Sequence, residues 1–178
     1  MRQSKVDTWE RRITNDRNSN YRGTACVDLE VLEFPSGFVR GENEKIIESL
    51  KGKFKKEGCY RLEPRNHVPV IIEPSDFLSI LELSELNPDS LLENARKTPP
   101  RLKFPPDFRL SCLHGRQRVE AAKAFLRERD RWWTVDIYIA GKSQNSASMR
   151  ASNLYRYRLG FCLAERVSRR ICELNELF

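Results

Sequence analysis

Apolar and acidic residues alternate from Val27 to Phe34, the two-residue period of a strand with one buried face. The pattern predicts a first strand over Ala25–Phe34, ended by Pro35-Ser36-Gly37. The period then changes. Ile46, Ile47, Leu50 and Phe54 recur at helical spacing and predict a helix over Glu42–Lys56. Asn43 is placed to cap it, and Glu44 lies in its first turn. Lys51, Lys53, Lys55 and Lys56 crowd its last turns, and Gly58 stops it. Val68-Pro69-Val70-Ile71-Ile72 reads as a short buried strand, with Pro69 marking an edge or a strand start. Phe77–Leu86 and Asp89–Lys97 read as short helices, followed by a loop through Thr98-Pro99-Pro100 and Pro105-Pro106. Phe108–Leu113 reads as a strand and Val119–Leu126 as a helix. Trp132–Ile139, aromatic and β-branched, is a further strand. After the small, polar stretch Ala140–Ser148, Leu159, Leu163, Val167, Ile171 and Leu174 predict one long helix or two shorter ones.

This order divides the chain into a basic arm (1–23), an α/β core (24–140) with a helical insert (75–105), and a linker with a basic C-terminal helical segment (141–178). The chain has 178 residues, enough for one domain with a real core. No stretch approaches 18 apolar residues, so no membrane span is expected. Met1–Asn20 lacks the apolar run of a secretory signal, and an intracellular site, cytoplasmic or nuclear, is the expectation. Five cysteines without a CxxC pair point to free thiols in a reducing compartment. With two histidines in the chain, no metal site is expected.

A net charge of +7 favours an anionic partner. The sharpest candidate for local anion chemistry is Cys112-Leu113-His114-Gly115-Arg116-Gln117-Arg118, between a strand and a helix. Glycine permits a tight turn and close approach of a ligand. The helix start offers backbone N–H groups and a partial positive charge, and Arg116 and Arg118 add to a phosphate seat. The plainer alternative is a strand-to-helix turn with two solvated arginines. The N-terminal arm interleaves Trp9 and Tyr21 with arginines, a composition that tracks nucleic-acid backbones or simply a solvated tail. Arg150, Arg156, Arg158 and Arg169 are candidates for contacting nucleic-acid phosphates, or for lining a dimer contact, on the C-terminal helix. One of Trp132 and Trp133 is expected in the core, leaving the other to stack a base.

A resemblance joins these pieces. Arg40 with the helix ending at Gly58, then Pro69–Ile72, then His114–Ala122 and the β-rich end resemble the ParB/sulfiredoxin-like nucleotide-binding core. More closely, Gly58–Pro69, Cys112–Arg118 and Trp132–Asp136 are similar to a fungal family of unknown function that carries such a core. The resemblance covers about Thr24–Ile139. It implies a small, mixed, twisted sheet with packed helices, and a phosphate-binding turn at Gly115, Arg116, Gln117 and Arg118. A second loop, with Arg61, Arg65, Asn66 and His67, would face that turn, and a nucleoside triphosphate with magnesium is the implied ligand. ParB-type clamps carry Gly-Glu-Arg-Arg here, so Arg116 and Gln117 stand where that pattern has Glu and Arg. Sulfiredoxins carry Gly-Cys-His-Arg, so Arg116 stands at the reactive cysteine, and Cys112 lies before the glycine. Clamp proteins also use a later helix for phosphates and magnesium, for which Asn153 is the nearest match.

The expectation is therefore an α/β protein binding a nucleotide or nucleic acid at the Gly115 turn, with hydrolysis or nuclease action open. His114, His67 and Glu30 are the candidate acid–base groups; structural roles for the histidines and an exposed strand position for Glu30 are the plain alternatives. The competing expectation is a non-enzymatic module that binds nucleic acid or protein through the arm and the C-terminal helix, with a homodimer through that helix as a further option.

Overall fold

Five short strands share one mixed sheet. They are β1 (Tyr21–Asp28), β2 (Leu32–Glu33), β3 (Val68–Ile72), β4 (Leu110–Cys112) and β5 (Trp132–Ile139), in the order β1-β5-β3-β4-β2. β5 runs antiparallel to β1 and parallel to β3. β4 runs antiparallel to β3 and parallel to β2. Among the described residues, three helices of ten or more residues accompany them: α1 (Glu44–Glu57), α2 (Pro74–Ser84) and α3 (Arg116–Phe125). This is a computed structural model, and it describes residues 18–35, 43–92 and 98–140. Contacts group 21–140 into one compact unit. The expectations for most of the basic arm, Arg40, Asn153, the C-terminal helix and Arg150, Arg156, Arg158 and Arg169 lie outside the described residues. Among the described residues no helix is long and apolar enough to cross a membrane.

Strand alternation and register place Ala25, Val27, Val68, Val70, Trp133, Val135 and Ile137 on one face of the sheet, and all are buried. α1 and α3 cover this face. The Phe54 ring lies 6.0 Å from Trp133 and 5.9 Å from Phe125. Truncating the fully buried Trp133 to alanine would cost about 3–5 kcal/mol. α1 starts as its sequence dictates, with the Asn43 side chain accepting from the Ile46 N–H at 3.3 Å, and Gly58 follows its last residue. Phe54 is buried and Ile47 and Leu50 pack against the core, but Ile46 is exposed.

Three expectations change, and one pair of alternatives is decided. The first strand does not run through Phe34. Its ladder ends with the Leu29 N–H donating to the Arg131 carbonyl at 3.0 Å, and Leu29–Val31 form a 3-10 turn. Leu32–Glu33 then join β4 at the opposite edge of the sheet. The adjacent apolar pair Val31-Leu32, which breaks the alternation, marks this departure. Glu30 consequently sits on the turn, not on a strand.

Of the two alternatives for Pro69, the strand start holds and the edge does not: it is the second residue of β3, the central strand. Its carbonyl accepts from Leu113 at 2.9 Å, just beyond the last residue of β4, so the missing N–H falls where that ladder ends. Pro88–Leu91 form a 3-10 turn in place of the start of the second insert helix, and 93–97 lie outside the described residues. Finally, α3 begins at Arg116, three residues before the expected start. Both arginines therefore belong to its first turn.

Gly115 has φ 100°, and a Cβ built there would stand 3.1 Å from Val68 Cγ2. Gly115→Ala should lower stability by about 1–2 kcal/mol in urea unfolding; an unchanged midpoint would show that neither the backbone nor the Val68 contact constrains this turn. A second expectation concerns thiols. Burial pushes the Cys26, Cys59 and Cys112 thiols up, Cys112 far beyond its ordinary range, and Cys26 and Cys112 are buried whereas Cys59 is half-buried. A raised value leaves less thiolate at neutral pH. Alkylation of the native protein followed by peptide mapping should modify Cys59 before Cys26 and Cys112.

Candidate functional site

The turn after β4 and the loop before β3 meet because β3 and β4 are antiparallel neighbours. The end of one strand lies beside the start of the other. At this junction Gly115 takes the left-handed conformation and packs over Val68. As the N-cap of α3 it has no side chain to cap the helix. The Arg118 and Val119 N–H groups both return to the Gly115 carbonyl, at 3.0 and 3.1 Å. The N–H groups of Arg116 and Gln117 precede those bonds, at the positive end of the helix. His114, Arg116, Gln117 and Arg118 are all partly buried.

The facing loop is fixed by one carbonyl. Asn66 O accepts from the Trp133 indole at 2.8 Å and from Arg118 Nη1 at 3.1 Å. The Asn66 side-chain amide donates to the Tyr60 carbonyl at 3.1 Å. Thus Asn66 and Arg118, proposed from sequence to lie across a shared site, are in direct contact. Arg118, however, spends a guanidinium donor on the protein itself.

His67 is held beside this carbonyl. Its Nδ1 lies 2.9 Å from Asp136 Oδ1 and its Nε2 3.3 Å from the Leu62 carbonyl. Asp136 also accepts from the Thr24 hydroxyl at 2.9 Å, and Thr24 pairs with the Tyr21 hydroxyl at 2.8 Å. With both ring nitrogens facing oxygen partners and the side chain 9% exposed, His67 anchors the loop to β5. Asp136 and Thr24 escaped the sequence reading as site residues, and Tyr21, assigned there to the basic arm, opens β1. The one signal for Asp136 was a carboxylate inside an otherwise apolar strand.

The other candidates separate from this junction. Arg65 is 78% exposed and pairs with Glu63 at 2.5 Å. Glu30 faces Arg131 at 3.6 Å, near the start of β5, roughly 13 Å along that strand from Asp136. Arg61 lays its guanidinium 3.8 Å from the centre of the Trp132 ring and donates to the Asp130 carbonyl at 2.7 Å. One face of Trp132 is thereby covered, while Trp133 is in the core. Cys112 is buried, with its thiol 3.5 Å from the Leu110 carbonyl, so it does not open onto the turn. Among the described residues no group of three His, Cys, Asp or Glu is placed to hold a metal.

With this geometry in hand, similarity to known proteins is limited. No curated protein matches the chain. Among solved structures, the C-terminally truncated chromosome-partitioning protein ParB from Caulobacter crescentus, complexed with CTP-gamma-S, is 14% identical, with a TM-score of 0.36. The match covers 78% of this chain and 50% of that one, so the chain spans half the length of that protein. A family model matches residues 20–156, which contain every residue of the junction. The chain belongs to the family described as protein of unknown function (DUF3723), N-terminal domain.

Proposed function

We propose that this protein binds a phosphate-bearing ligand, a nucleotide or a nucleic-acid segment, at the first turn of α3. The observation that carries the reading is the left-handed Gly115 N-cap, which brings no capping side chain to a helix opening with Arg116-Gln117-Arg118. Backbone N–H groups and the helix dipole favour an anion there, typically by about 0.3–1 kcal/mol from the dipole. Arg116 supplies the charge and Gln117 a neutral donor. Arg118 and His67 hold the neighbouring wall through Asn66, Leu62 and Asp136. A magnesium ion would enter with the phosphates of a triphosphate.

A second reading has its own support in the distribution of charge. Residues 18–140 carry nearly equal numbers of basic and acidic side chains, so most of the +7 belongs to 1–17 and 141–178. A non-enzymatic module could bind nucleic acid through those flanks alone.

Thermal unfolding with CTP, ATP, GTP, UTP and tripolyphosphate, with and without magnesium, separates the two. A ligand at a hundred times its Kd contributes about 2.7 kcal/mol and raises Tm by several degrees. Arg116→Ala should abolish most of that rise, measured against the variant's own ligand-free Tm. Arg118→Ala should lower the ligand-free Tm, because it removes a donor from Asn66. No rise with any phosphate compound, together with steeply salt-dependent duplex binding, would move the function to the flanks.

A further inference from the structure

We infer that His67 is a proton latch: as the imidazolium its ring ties the loop before β3 to β5, and loss of a ring proton frees that loop. The inference does not rest on a ligand at the α3 turn. A neutral imidazole has one N–H and one bare nitrogen, so it donates only once. His67 meets an oxygen at each nitrogen, Asp136 Oδ1 at 2.9 Å from Nδ1 and the Leu62 carbonyl at 3.3 Å from Nε2. A carbonyl has no proton to give. Neither has the carboxylate, which already accepts from the Thr24 hydroxyl. Thr24 spends its one proton on Asp136 and therefore accepts from Tyr21. Asp136 thus receives Thr24 from one side and His67 from the other, and only a doubly protonated ring also satisfies Leu62.

The counter-charge is Asp136 on β5, and both side chains are largely shielded from solvent. The loop's own charged groups are engaged elsewhere. Glu63 and Arg65 pair with each other, and Arg61 stacks on Trp132 and donates to the Asp130 carbonyl. On α3, Arg118 bonds the carbonyl of Asn66, the residue before His67. A charged donor makes the stronger hydrogen bond, so both of the ring's bonds gain from the extra proton. Removing the proton from Nε2 sets a lone pair against the Leu62 carbonyl, while Nδ1 keeps its hold on Asp136. The loop then loses its tie at Leu62, close in sequence to the carbonyl that receives Trp133 and Arg118. Histidine is the side chain whose charge ordinarily changes between about pH 5 and 8, so the latch makes the order of this loop depend on pH.

Two titrations of the full chain test the latch. Long-range proton–nitrogen NMR follows the His67 ring, told apart from His114 by the signals lost in His114→Gln. Amide exchange at Glu63 and Asn66, corrected for the intrinsic pH dependence of exchange, follows the loop. As pH rises and the ring loses its proton, exchange at both amides should speed up about tenfold, with the same midpoint as the ring. Asp136→Asn keeps the shape of its side chain but removes the counter-charge, so both curves should move together to lower pH. His67→Phe should remove the pH step, whereas His114→Gln should keep it. Exchange that ignores the ring's titration, or that slows as the proton leaves, overturns the latch, and so does a step that survives in His67→Phe. Should His67→Phe fail to fold, the wild type and Asp136→Asn decide the matter between them.

Discussion

One carbonyl oxygen organises the described unit. Asn66 O receives an indole N–H from the middle of the core and a guanidinium from the first turn of α3. Its two lone pairs are thus both used, and three separate parts of the chain are tied at a point. The tie is strong because of what would follow from breaking it. Trp133 is fully buried, and a buried N–H without an acceptor costs about 1–3 kcal/mol. The loop before β3 cannot move without exposing that cost. Arg118 is held by the same atom, and through it the start of α3 is fixed relative to the sheet. The conformation of Gly115 and its contact with Val68 complete the arrangement.

This constraint divides labour between two arginines that look equivalent in sequence. Arg118 sits at the third position of the helix and turns toward the loop; Arg116 sits at the first, beside the N–H groups that no helical carbonyl can reach. The near balance of charge over 18–140 also matters. A long-range field from this unit would be weak, and at physiological salt charges more than about 8 Å apart are largely screened. Selectivity for an anion at the turn must then come from local donors and not from the total charge of the protein.

Much of this was legible from residue pattern alone, because some signals had no competitor. Trp132–Ile139 could hardly be anything but a strand, and Asn43, the Ile47-Leu50-Phe54 stripe and Gly58 fixed α1 almost to the residue. The turn at Gly115 was also anticipated, whereas its meeting with Asn66 was implied by the family resemblance and not by pattern. What failed had physical causes. Apolar–acidic alternation continues from Val27 to Val31 although the chain changes neighbours at Leu29, since buried turn residues and buried strand residues are apolar alike. Pro69 was read as an edge or a strand start, and the choice stayed open because the sequence does not reveal where a neighbouring ladder stops. Asn66 was noticed for its side chain, whereas its backbone oxygen does the tying, and backbone groups carry no signature in composition.

The turn at Leu29–Val31 has a geometric consequence for the sheet. Its ends belong to β1 and β2, the two outermost strands. Four strand spacings separate those edges, about 19 Å in a flat sheet. From Asp28 to Leu32 the chain can span at most about 14 Å. The sheet must curl until its rims approach one another, as in an incomplete barrel. One rim is a strand of only two residues, and the other is covered where the Cys26 backbone bonds to Pro100 and Leu102. Curling and covering leave little bare edge on which another chain could add a strand, which protects a small β-rich protein from self-association.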